Sequence, residues 1–156
     1  MLKVVVTLIS VSWYDQGNLV QAALDRGVNV DVVDRDGEMA LIKAATAGHG
    51  NIVKMLMKKG SDVNIKNYQG ETALLKAVKA GNLKIVMELL YYGTNGDSED
   101  INEALMKAVN GGYINNVVAL LDKGANVDAR DSLGKTAFIK AVKLGHDKII
   151  TTLIDC

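Results

Sequence analysis

The sequence predicts an all-α fold, a solenoid of helix-turn-helix repeats with short finger loops, forming one domain over residues 1–156. Three observations carry that prediction. Four stretches superimpose: EMALIKAATAGHGNIVKMLMKKG (38–60), ETALLKAVKAGNLKIVMELLYYG (71–93), NEALMKAVNGGYINNVVALLDKG (102–124) and KTAFIKAVKLGHDKIITTLIDC (135–156). Ala40, Ala73, Ala104 and Ala137 fall in register within them, at steps of 33, 31 and 33. Each stretch holds two apolar stripes at i, i+3, i+4 spacing, the period of an amphipathic helix. Fifteen glycines and no proline punctuate the helices without breaking them. A hairpin with two apolar stripes cannot bury both alone, so the units must stack.

Taken in order, the units run 1–33, 34–66, 67–97, 98–130 and 131–156, with the first and last expected to serve as caps. The opening Met1-Leu2-Lys3-VVVTLISV imitates a short signal peptide but lacks a small-x-small cleavage site. It joins the repeat register instead: Thr7-Leu8-Ile9 precedes Ala40-Leu41-Ile42 by 33 residues, as Gly17-Asn18 precedes Gly50-Asn51. In the second unit Leu41, Ala44 and Ala45 form the first stripe and Ile52, Val53 and Leu56 the second, with Gly48 turning the chain between them. Gly60, Gly93 and Gly124 follow second helices, where a left-handed cap is wanted. Ala44, Ala77, Ala108 and Ala141 are small enough for close helix approach. The third finger is irregular: Gly93 to Ser98 is five positions against seven in its neighbours, and Ile101 stands where a turn glycine belongs. Asn116 takes the place of an isoleucine, which marks the fourth unit as the least stable. The last unit stops at Cys156 with no polar terminal helix, an uncapped end through which two copies could dimerise, although a monomer is expected.

These residues resemble the ankyrin repeat, whose pattern runs Asp-x-x-Gly-x-Thr-Pro-Leu-His-x-Ala-Ala, then Gly-His, Ile-Val-x-x-Leu-Leu and Gly-Ala-Asp-Val-Asn. Asp34-x-x-Gly37, Asn67-x-x-Gly70-x-Thr72-Ala73-Leu74 and Asp131-x-x-Gly134-x-Thr136-Ala137-Phe138 carry the first part. Gly48-His49, Gly145-His146, Ile52-Val53, Ile85-Val86 and Asp62-Val63-Asn64 carry the rest. The chain departs from the pattern at the proline, replaced by Ala40, Ala73, Ala104 and Ala137, and at the histidine, replaced by Ile42, Leu75, Met106 and Ile139. Apolar packing is therefore expected where the family uses hydrogen bonds between units. The resemblance implies protein–protein recognition through finger tips and the concave helix surface.

Eighteen basic residues balance eighteen acidic ones, so no overall field steers the molecule to nucleic acid or to an anionic membrane. No apolar run reaches the roughly 20 residues of a membrane span. The single cysteine, Cys156, suits a reducing compartment, and the expected location is cytoplasmic. Gly134-Lys135-Thr136 imitates the end of a phosphate loop, but the required earlier glycine is Ala129 and the flanks belong to a finger. His49 and His146 sit at the Gly-His position and are expected to make structural hydrogen bonds. Cys156 has no activating base nearby in sequence, and Asp97, Glu99, Asp100 and Glu103 lack calcium-loop spacing. No catalytic residue, metal or cofactor is expected.

A lysine ladder is more distinctive. Lys43, Lys76, Lys107 and Lys140 recur at one position of the first helix, with Lys79 and Lys143 one turn further along. In an ankyrin-like stack that position looks toward the concave surface, which predicts a basic stripe suited to an acidic segment of a partner protein. A nucleic acid or other polyanion is the alternative ligand, with steep salt dependence as its signature. Trp13 and Tyr14 align with Thr46-Ala47 on the concave rim and are expected apolar anchors, since such residues dominate interface energetics. Arg35, Asp36, Tyr68, Gln69, Glu99, Asp100, Ser132 and Leu133 occupy expected finger-tip positions. The expected role is a scaffold that binds another protein and performs no chemistry.

Overall fold

The computed structural model describes residues 2–93 and 98–156, and the side chains of all of these except residues 2–7 and 98. Asp97 and the connection over 94–97 therefore lie outside the described residues. Ten helices are found among them: α1 Leu2–Trp13, α2 Gly17–Asp25, α3 Ala40–Ala47, α4 Gly50–Lys58, α5 Ala73–Lys79, α6 Leu83–Tyr92, α7 Ser98–Asn110, α8 Ile114–Asp122, α9 Ala137–Leu144 and α10 Asp147–Ile154. They pair as hairpins, and the pairs stack so that α1, α3, α5, α7 and α9 form one row and α2, α4, α6, α8 and α10 the other. The core lies between the rows. Ala44, Ala77, Ala108 and Ala141 are fully buried, because any larger side chain would push the helices apart. No helix among the described residues is long and apolar enough to cross a membrane.

One hydrogen bond closes every hairpin. The backbone N–H groups of His49, Asn82, Tyr113 and His146 donate to the carbonyls of Ala44, Ala77, Ala108 and Ala141 at 2.9–3.0 Å. This bond requires the preceding residue in the left-handed region, and Gly48 takes it at φ 84°. In the first hairpin Asp15 occupies that place at φ 55°, one of the few residue types with a short polar side chain that tolerates it. Ile42, Leu75 and Met106 are buried at the pattern's histidine position, so apolar packing does replace that hydrogen bond in three units. Ile139 is exposed and departs from the expectation.

The fingers are built from a second local device. The Asp34 carboxylate accepts from the N–H groups of Asp36 and Glu38 at 2.9 and 3.0 Å, and Asn67 and Asp131 repeat this with Gln69 and Glu71 and with Leu133 and Lys135. Gly37 completes the turn at φ 72°. Thr72 and Thr136 then cap α5 and α9 by accepting from the N–H groups of Leu75 and Ile139, whereas Met39 offers α3 no such cap. Isoleucine is strongly disfavoured at such a φ, so the segment with Ile101 forms no finger turn. It runs on as helix instead, and α7 has 13 residues against 7 or 8 for α3, α5 and α9. Glu99 and Asp100, expected on a finger tip, thus lie in the first turn of α7. Asp100 is buried there and pairs with Lys66 at 2.8 Å.

Candidate partner-binding face

The fingers fold back over the helix that follows them, and this decides what the lysine ladder becomes. Lys43 comes nine residues after Asp34 and five after Glu38, and its ammonium lies 3.1 Å from the first carboxylate and 3.4 Å from the second. Lys76 pairs with Glu71 at 2.6 Å and reaches Glu38 of the preceding unit at 3.8 Å. Lys79 also pairs with Glu71, Lys107 lies 3.5 Å from Glu103, and Lys140 lies 2.7 Å from Asp131. The expected basic stripe is therefore an alternating-sign stripe whose lysines are held by carboxylates. Asp34, Glu38, Glu71 and Asp131 were the residues missed, although offsets of five or nine before Lys43, Lys76 and Lys140 are visible in the sequence; Lys107 is paired instead from its own helix, by Glu103 four residues earlier. Lys143 has no ion-pair partner among the described residues and stays exposed.

The electrostatics follow from that packing. Burial works against the charge on Asp34, but the Glu38 N–H and the Lys43 ammonium outweigh it and hold its pKa below the ordinary value. Burial likewise opposes the charge on Lys43, and Asp34 more than compensates, raising its pKa. Lys76 and Lys79 hold Glu71 down. Lys140, with the N–H of Lys135, lowers Asp131 to about 2. Carboxylates depressed in the folded state contribute stability that is present above their unfolded pKa, about 4, and is lost as pH falls through the folded values. Melting temperature is therefore expected to drop between about pH 4 and pH 2. Asp131→Asn should shrink that drop while keeping its finger, since Asn67 makes the same turn with an amide. An unchanged acid profile in D131N melts would show that this pair contributes nothing.

Two clefts open on this side. The larger, about 850 Å³, lies between the end of α1 and the first finger, with Ile9 at its floor, Trp13 and Tyr14 on one wall and Val33, Arg35 and Asp36 on the other; Lys43 also borders it. It brings together five residues singled out in the sequence for unrelated reasons. His49 fixes this wall: its Nε2 lies 2.8 Å from the Trp13 carbonyl, so the Nε2–H tautomer donates to the end of α1, and Asp15 faces Nδ1 at 3.8 Å. That is the structural role expected of the Gly-His position for His49, but His146 departs from it: its Nε2 is buried with no hydrogen-bond partner among the described residues.

The second cleft, about 670 Å³, lies between α7 and the last finger, where Glu99, Lys107, Ser132, Leu133 and Lys140 meet beside Met106. It occupies the side of α7 from which a third finger would have projected. Tyr68 and Gln69 border neither cleft. The Tyr68 ring instead covers Gly37, so closely that a Cβ added there would lie 2.5 Å from it, and this closes the gap between the first two fingers. Gly134-Lys135-Thr136 is fully committed to its finger: Gly134 turns at φ 73°, the Lys135 N–H donates to Asp131 and Thr136 caps α9.

A family model described as ankyrin repeats (3 copies) matches residues 8–100 and 95–156. No curated protein matches the chain.

Proposed function

The chain belongs to the ankyrin-repeat family, whose members generally mediate protein–protein interaction, and from that premise we propose that it is a protein-binding scaffold. Its docking site is the cleft between α1 and the first finger. The observation that carries this reading is the meeting of exposed Trp13 and Tyr14 with Val33 around buried Ile9. That combination fits a partner segment with one large apolar anchor flanked by polar residues, which Arg35 and Asp36 at the rim would orient. The pairing of the lysines favours such a partner over an acidic segment or a polyanion, because a compensated stripe offers little net charge to either. No chemistry is assigned to the site. The one cysteine suits a reducing, cytoplasmic setting.

The test begins with capture of partners on the immobilised chain, beside a Trp13→Ala variant verified by circular dichroism. With a captured protein titrated against both, Trp13→Ala is expected to weaken binding about tenfold or more, a hot-spot loss above 1.4 kcal/mol. Raising the salt should change the affinity only modestly. Equal affinity for both forms would remove the cleft from recognition, and recovery of nucleic acid with steep salt dependence would replace the protein reading.

A further inference from the structure

The two ends of the stack carry opposite halves of its own internal interface. Phe138 on α9 stands where Leu41, Leu74 and Leu105 stand in earlier units, and all three are buried. Ile139 repeats the position of Ile42 and Leu75, Val142 that of Ala45 and Val78, and Ile154 that of Met57 and Leu90, again all buried. In the last unit Phe138, Ile139, Val142 and Ile154 are 40, 45, 52 and 66 % exposed. All four positions are exposed only in the unit with no successor in the structure, although Leu121 at the last of them is half-buried in the fourth unit, so what covers them elsewhere is the next hairpin. A unit that ends a stack in water carries a polar outer face. Here no charge or amide replaces the apolar residues, so α9–α10 presents a receiving surface.

At the other end, Leu19 on α2 takes the position of Ile52, Ile85 and Ile149, which are buried, Ile85 lying beside Gly50 of the preceding unit. Leu19 is 49 % exposed. We propose that the two ends recognise each other: the α9–α10 face of one copy seats the α1–α2 hairpin of a second, in the register that joins neighbouring units within the chain. Such a contact is heterologous. It leaves a free head and a free tail on each pair, so it extends the solenoid instead of closing a two-fold dimer. The balanced charge of the chain sets up no net repulsion between copies. The contact uses the ends of the stack and does not depend on the partner cleft proposed above.

Analytical ultracentrifugation of the whole chain, with reductant present to prevent Cys156 cross-links, should show a mean mass that rises steadily with concentration. Leu19→Glu and Ile139→Glu, each confirmed helical by circular dichroism, should both be monomeric where the unaltered chain is associated. Mixed together they should form a 1:1 dimer and nothing larger, because the first retains a sound tail and the second a sound head. A Leu19→Glu chain that still self-associates like the unaltered one would overturn the head-to-tail contact in favour of tail-to-tail pairing. An unaltered chain that remains monomeric throughout would overturn it altogether.

Discussion

Replacing Asn116 by isoleucine is expected to stabilise the fold by about 1–3 kcal/mol, the cost of a buried polar group left without a partner. Asn116 is 1 % exposed in α8, and its Nδ2 has no hydrogen-bond partner among the described residues. Two donors have thus left water without compensation. Ile52, Ile85 and Ile149 fill the same position in three other units, each buried, so the site already has the shape for that side chain. The gain should appear in urea unfolding as a higher midpoint with an unchanged slope, since the area exposed on unfolding is nearly the same. A lower midpoint would mean that an ordered water satisfies the amide or that the pocket around Asn116 has closed too far to admit a branched chain. In a stack whose stability is a sum over units and their interfaces, the benefit should spread to both neighbours of α7–α8.

What the sequence made legible divides along the reach of the interactions involved. The hairpins could be placed because their determinants are local: the alanine that allows close approach, the glycine that takes a positive φ, and the apolar period of each helix. Asn116 could be recognised as an intruder for the same reason. The failure of the third finger was visible in Ile101, but its consequence was not. Without a left-handed residue the turn cannot close, and the residues meant for a finger tip lengthen α7 until Asp100 is buried against Lys66. The ladder of lysines is visible as a repeated position, but the neutralisation of its field by carboxylates is not. The partners of Lys43, Lys76 and Lys140 lie five or nine residues upstream and meet the ammonium groups because each finger folds back over the next helix, whereas Lys107 pairs with Glu103 one turn earlier on α7. The cleft beside Trp13 belongs to a third category, since it depends on two segments twenty residues apart enclosing space that no pattern along the chain records. The exposed face of α9–α10 has the same origin: Phe138, Ile139 and Val142 have the pattern of core, and only the stack reveals that nothing in it covers them.

Gly111→Ala should destabilise the unaltered chain yet stabilise a chain that also carries Tyr113→His. Gly111 lies just after α7 and does not adopt a left-handed φ, so local propensity alone favours alanine there by roughly 0.4–1 kcal/mol. Ala47 and Ala80 occupy the equivalent place in earlier units. The obstacle is a side chain. A Cβ on Gly111 would lie 2.3 Å from the Tyr113 ring, and the other edge of that ring lies 2.8 Å from where a Cβ on Gly81 would be. Tyr113 is held between two glycines, with its hydroxyl 3.5 Å from the Lys79 carbonyl, so it cannot retreat from one without meeting the other or leaving its slot. Either response should cost about 1–3 kcal/mol, the usual penalty of overpacking, which exceeds the propensity gain. Histidine at 113 restores the residue found at 49 and 146, a smaller ring that tolerates alanine or leucine two positions earlier. The sign of the Gly111→Ala effect should therefore reverse between the two backgrounds, giving a coupling of about 2 kcal/mol in a double-mutant cycle of urea unfolding. Additive effects would mean that Tyr113 moves aside freely, and that the glycine at 111 has no packing reason to be there.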